Sequence, residues 1–290
     1  MDPNYLPFMP DPSKPTFVAP KGAVDAHCHV FGPGDVFPYH PSRKYTPCDA
    51  PKEKLFALRD FLGFERNVIV QASCHGPDNR ALVNALIHSD DKARGVAVVD
   101  PDITDRELAE LNEAGVKACR FNFVPRLADE MPHEVYRDVA RRVAKLGWHL
   151  VVYFEGHDVN RLIPLLTSIP TDVVIDHVGT PDVSGPAENN ANFAALLDLV
   201  RKDERFVVKV TCPERISKIG PPYDDFVPYA RAVVEAIPDR VLWGVDWPHP
   251  NMRSHMPDDG KLVDMIPRIA TSAAEQHKLL VDNPMRLYWS

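Results

Sequence analysis

Residues 24–30 read VDAHCHV. On an extended strand, side chains two apart share a face, so His27 and His29 project together from one strand end into one space. The histidines close a short apolar run, and similar runs recur along the chain. They are AVDAHCHV (23–30), NVIVQAS (67–73), RGVAVVD (94–100), GVKACRFNF (115–123), HLVVYFE (149–155), DVVIDHVG (172–179), RFVVKVTC (205–212) and RVLWGVD (240–246). Between them lie segments of helical period. In HEVYRDVARRVAKLG (133–147), Val135, Val139 and Val143 recur every four residues, and TDRE at 104–107 has the form of a capping box. Eight strands alternating with helices, at about thirty residues per unit, argue an α/β fold with a parallel sheet. Eight is the number that closes a (β/α)8 TIM-type barrel. The competitor is an open doubly wound sheet. Its dinucleotide-binding version needs a Gly-rich turn after the first strand, and VDAHCHVFGPGD has none.

The expected organisation is a single barrel over 21–290, preceded by an extended Pro-rich arm over 1–20. Six of the 29 prolines fall in those first twenty residues. A formal net charge of −8 argues against nucleic acid or an anionic membrane as partner. No stretch approaches the length of a membrane span, and no secretory signal is visible. The five cysteines (28, 48, 74, 119, 212) are odd in number and form no CxxC pair, which fits free thiols in a reducing cytoplasm.

In a barrel of this kind the active site lies at the C-terminal ends of the strands. The first strand ends in His27 and His29, and the second runs into Ser73, Cys74 and His75. The fourth reaches Arg120, with Arg126 in the following loop, and the fifth reaches Tyr153. The sixth ends in His177, the seventh leads to Arg215, and the eighth ends in Asp246 before WPHPN. Guanidinium groups grip carboxylates bidentately and stay charged at any working pH, so Arg120, Arg126 and Arg215 read as receptors for a substrate with two carboxylates. Arg120 shares the parity of Val116 and Ala118, which would bury it facing inward. Lys209, inside an apolar strand, is expected to point into the barrel and pair with Asp25.

A first-strand HxH, a sixth-strand His and an eighth-strand Asp, with the closing NPMRLYWS, resemble the amidohydrolase superfamily from about residue 22 to 289. Two departures from that pattern stand out. Binuclear members carry a bridging lysine at the end of strand four, where this chain has Cys119-Arg120. Members with one zinc commonly use a strand-five histidine. The only histidine here, His149, opens the strand, on what is read as the wrong face. His27, His29, His177 and Asp246 could still hold zinc tetrahedrally.

Within the superfamily the segments ASCHGPDN, CRFNFVPR, YFEGH, IDHVG, CPERIS and WPHPN resemble the lactonase family that opens 2-pyrone-4,6-dicarboxylate. That resemblance implies reversible, metal-independent hydrolysis of a cyclic ester to 4-oxalomesaconate, with no cofactor and a small dicarboxylate as the only partner. It implies Asp246 as general base and His27, His29 and His177 as donors polarising the lactone carbonyl. Arg120, Arg126 and Arg215, helped by Ser73, Tyr153, His75, His249 and Asn251, would hold the carboxylates, and His249 would also orient Asp246. The rivals are a zinc-dependent decarboxylase of the same superfamily and a catalytically silent dicarboxylate-binding barrel.

Overall fold

The structure is a computed structural model that describes residues 1–290. Each of the eight expected runs forms a strand: β1 (Val24–Cys28), β2 (Arg66–Val70), β3 (Ala93–Ala97), β4 (Val116–Asn122), β5 (His149–Tyr153), β6 (Val173–Ile175), β7 (Phe206–Val210) and β8 (Val241–Trp243). They pair in parallel in the order β1 to β8. The last strand meets the first just beyond its end, where Asp246 N–H donates to His27 O (2.8 Å) and His29 N–H to Trp247 O (2.8 Å). Gly244 makes that approach possible, because a Cβ there would lie 2.4 Å from the His27 nitrogen.

Helices α1 (Lys52–Leu62), α2 (Arg80–Ile87), α3 (Asp105–Glu113), α4 (His133–Ala144), α5 (Val159–Leu166) and α6 (Ala191–Lys202) follow the first six strands. The short α7 (Pro213–Ile216) and α8 (Val227–Ala236) follow β7. After β8 come α9 (Asp259–Val263), α10 (Ile266–Ile269), α11 (Ala273–His277) and α12 (Asn283–Tyr288). The capping box at Thr104–Glu107 forms at the start of α3. On α4, Val139 and Val143 bury with Tyr136 and Ala140, while Val135 is only half-buried. No helix is long and apolar enough to cross a membrane.

Strands buried on both faces need two apolar layers. One packs strands against helices, and the other fills the barrel with Val68, Val70, Val96, Ala118, Val151, Val174, Val207 and Leu242. Tyr288 closes that inner layer. It belongs to the NPMRLY segment, whose Asn283 side chain donates to Val241 O (2.8 Å) and Pro238 O (3.0 Å) and ties α12 to the foot of β8.

Two β-bulges decide what faces the mouth. Between Asp25 and Cys28 the chain uses one residue more than its partner β2. Val24 and Ala26 therefore face the interior, and so do His27 and His29, while Cys28 joins the outer layer. A second bulge lies in β4, where Gly95 and Val96 pair with Val116 and Ala118. Val116 accordingly packs outward, against the parity expectation, while Ala118 and Arg120 face in. His149 also differs from expectation. It shares the inward face of Val151 but sits at the floor, its ring 4.8 Å from that of Tyr288. It is one strand length from the mouth, not on the opposite face.

The N-terminal segment has no helix or strand and runs over loops at the C-terminal end of the barrel. Leu6 N–H donates to Met252 O (2.8 Å), Phe8 packs on Trp247, and Asp258 and Asp264 accept from the backbone of Ser13 and of Thr16 and Phe17.

Candidate active site

Asp246 ends the short extension of β8 with a left-handed backbone (φ 68°). Its Oδ1 lies 3.1 Å from His29 Nε2 and 3.3 Å from His27 Nε2, and its Oδ2 accepts from Arg215 (2.8 Å). Burial alone would raise the carboxyl's pKa. The Arg215 guanidinium and the His29 hydrogen bond outweigh it and hold Asp246 well below the usual carboxylate range. Left-handed residues cluster at these loop starts: His177, Val178 and Thr180 after β6, Cys212 after β7, and Asp246, His249 and Asn251 after β8. Such backbone is costly for residues with side chains, and it concentrates where function over-determines the conformation.

Below Asp246 lies a second carboxylate, Asp176, fully buried. Arg120 donates to its Oδ2 (3.0 Å), and Lys209 Nζ (3.4 Å) and His27 Nδ1 (3.2 Å) approach its Oδ1. Burial opposes its charge, but the Lys209 ammonium and the Arg120 guanidinium prevail and keep it ionised. Lys209 thus points into the barrel as expected, yet its partner is Asp176. Asp25 instead accepts from the Val245 N–H (3.0 Å) across the β1–β8 seam, and burial lifts its pKa to about 7. Burial also keeps the imidazoles of His27 and His177 neutral, the latter with a pKa lowered to about 4.

His29 Nδ1 lies 2.7 Å from Val70 O, so it carries a proton and donates to that carbonyl. His177 Nδ1 lies 2.6 Å from Thr211 Oγ1, and its Nε2 lies 3.8 Å from Cys212 Sγ. The Tyr153 ring stands edge-on to His177 and beneath the Arg120 guanidinium, and its hydroxyl accepts from Arg126 (3.3 Å). Arg126 is half-exposed and also approaches Glu155 (3.6 Å). Arg126, Tyr153 and Arg215 line one wall of an open, mostly polar cavity of about 700 Å³, walled further by the loops after β5, β6 and β7.

The structure therefore joins His27, His29, His177, Asp246, Arg120, Arg215, Tyr153 and Arg126 in one connected network. Ser73 borders it through the Tyr45 hydroxyl, and Asn251 is half-buried with its Oδ1 unpartnered. His75 and His249 stand apart. His75 Nε2 accepts from Gly32 N–H (3.2 Å) and its ring packs on Tyr39. His249 is enclosed, with Nε2 2.9 Å from Asp259 and Nδ1 3.4 Å from Glu214. Burial opposes its charge, but these two carboxylates raise its pKa to about 10, so it is an imidazolium. Its N–H donates to Asp246 O (2.9 Å), and a ring nitrogen lies within 4.8 Å of the Asp246 carboxylate. Asp176, Tyr45 and Glu214 were not read as site residues. Of these, Asp176 alone carried a signal, a carboxylate beside His177 at the end of an apolar strand.

The fold family implies a metal. His27, His29 and Asp246 offer ligand atoms within 4.8 Å of one another. The surroundings do not fit a dication. The carboxylates here, Asp246, Asp176 and the neighbouring Glu214, are already matched by Arg215, Arg120 and Lys209. Arg120 stands at the mouth end of β4 and Tyr153 at that of β5, so neither strand supplies a further ligand. A divalent ion would enter a site whose carboxylates are already neutralised, and would crowd these fixed cations at considerable electrostatic cost.

Histidines, a buried aspartate and arginines thus stand together at the C-terminal mouth of a parallel barrel, the end at which barrels of this kind carry their sites. The chain belongs to the amidohydrolase family, which matches residues 24–289. It is 57% identical to a 2-pyrone-4,6-dicarboxylate hydrolase of Comamonas testosteroni, over 99% of this chain and 96% of that protein. It is 40% identical to a 4-sulfomuconolactone hydrolase of Rhizobium radiobacter, over 94% and 92% respectively. A crystal structure of a probable 2-pyrone-4,6-dicarboxylic acid hydrolase from Acinetobacter baumannii with citric acid bound superposes with a TM-score of 0.80 at 25% identity, covering 93% of this chain and all of that one.

Proposed function

We propose that the chain hydrolyses the lactone of 2-pyrone-4,6-dicarboxylate to the open-chain 4-oxalomesaconate, reversibly and with protein groups in place of a metal. The observation that carries the reading is the contact of Arg215 with Asp246 at the edge of a cavity that also presents Arg126, with Arg120 buried beneath on Asp176. It puts a general base within reach of groups that grip carboxylates. The identity to the Comamonas hydrolase and the citrate in the Acinetobacter structure, itself a polycarboxylate, support the same substrate class.

Asp246 takes a proton from water as the water oxygen attacks the lactone carbonyl. His27 and its neighbours donate to the developing oxyanion, a contribution of about 3–4 kcal/mol per well-placed donor. Collapse breaks the ring C–O bond, the departing enol oxygen receives the proton from Asp246, and the enol relaxes to the ketone. In the free protein Asp246 is a weak base, because Arg215 stabilises its charge. A substrate carboxylate that draws the Arg215 guanidinium toward itself weakens that pair and makes Asp246 more basic when substrate is bound. Unpaired cysteines fit operation in a reducing compartment.

Loss of pyrone ultraviolet absorbance on adding purified protein, with a product heavier by one water, is the expected result. Loss of carbon dioxide would favour a decarboxylase, and tight binding without turnover a silent barrel.

A further inference from the structure

His27 Nδ1 has two neighbours that make opposite demands. Asp176 Oδ1, at 3.2 Å, could only accept a proton from it, and Lys209 Nζ, at 3.3 Å, could only donate one to it. Direction separates them. The ammonium forms a hydrogen bond to Nδ1, whereas Asp176 Oδ1 completes none with any donor. A neutral imidazole has one N–H, so a ring accepting at Nδ1 must carry its proton at Nε2. That Nε2 is buried, faces the mouth beside Asp246, and has no hydrogen-bond partner in the free protein. An unpartnered buried donor at the reacting end is what an oxyanion requires.

We propose that Lys209 is a positioning residue that sets the tautomer of His27, holding its proton on Nε2 so that the ring is a hydrogen-bond donor to the substrate and not a metal ligand. Ligation of a cation needs the Nε2 lone pair, and therefore a proton on Nδ1 directed at Asp176. The lysine near the C-terminal end of β7, otherwise an anomaly in FVVKV, is thus what excludes the metal-binding form of the HxH. His29 lacks such a partner. Its Nδ1 is committed as donor to Val70 O, and its Nε2 addresses Asp246. The two histidines of one motif then differ at Nδ1, where His29 donates and His27 accepts. Use of the donor on a lactone carbonyl rests on the function proposed above, whereas the tautomer itself does not.

Nitrogen-15 NMR of histidine-labelled full-length protein without substrate reads the tautomer directly. We expect a pyridine-like Nδ1 and a pyrrole-like Nε2 for His27, assigned with a His27→Gln control. In Lys209→Met the pattern reverses, and kcat on the pyrone falls by about 10²–10³-fold, the cost of one lost oxyanion donor, with KM little changed. Lys209→Gln, whose amide still donates, retains the wild-type pattern and most of the rate, which a merely structural lysine would not explain. A wild-type Nδ1–H form, or a K209M ring still protonated at Nε2, overturns the proposal. Because the spectra need no substrate, they separate this failure from a wrong substrate.

Discussion

Two buried histidine–carboxylate clusters lie side by side in this molecule, and they carry opposite charge on the imidazole. Around Asp246 and Asp176, Arg215, Arg120 and Lys209 already match the carboxylates, so burial prevails and His27 and His177 stay neutral. Around His249, Glu214 and Asp259 outnumber their cations, and the ring itself supplies the missing charge. The same residue type is neutral in one cluster and a cation at neutral pH in the other. What decides is the count of fixed charges in contact with it, not burial, which is complete in both. The first cluster is free to do chemistry; the second clamps the loop after β8 to α7 and α9.

The sharpest way to break this contrast is to remove the base. Asp246→Asn should lower kcat by about 10³–10⁴-fold without unfolding the protein, since it keeps shape and one acceptor. A smaller loss in pre-steady-state turnover would move the base elsewhere. Next comes the clamp. His249→Leu strands two buried carboxylates, and should cost about 3–5 kcal/mol in denaturant unfolding, or about 10 °C in Tm. The pKa of His249 is raised on folding. Its contribution is therefore full below the unfolded value of about 6.5 and is lost as pH rises toward about 10. Wild-type stability should fall across that window, and the leucine variant should lack this component.

Arg126→Met tests the outer receptor. The half-exposed side chain touches only Tyr153 and Glu155, so KM should rise about 10–100-fold in initial-rate assays, with kcat much less affected. A pH profile has the mildest effect. With His177 titrating near 4 and Asp246 lower still, kcat/KM should be flat from about pH 5 to 7 and decline only below about pH 4. An acid limb centred near 6.5 would mean that ordinary histidines control the rate.

The eight-strand beat was legible because strands buried on both faces leave unbroken β-branched runs, and the site followed because barrel chemistry sits at strand ends. What the sequence hid were departures from simple periodicity. One-residue bulges in β1 and β4 invert parity, so Val24, His27 and His29 all face inward while Val116 does not. No residue type announces a bulge. The Lys209 partner was hidden for a related reason: Asp25 in β1 and Asp176 just past β6 are both carboxylates of apolar strand segments, and the seam at Gly244 commits Asp25 to Val245 N–H. His249 looked like a mouth residue because it follows Asp246 by three; its ring does lie within 4.8 Å of the Asp246 carboxylate, but its hydrogen bonds go to Asp259 and Glu214.

The central claim is that fixed cations and a correctly protonated imidazole stand where a metal would. Its most direct test is pyrone turnover by protein exhausted with chelator, with residual metal counted in the same sample. Undiminished kcat at far less than one metal per chain is the predicted result. Activity lost on chelation and restored in proportion to added zinc would contradict it, and would make His27, His29 and Asp246 ligands after all.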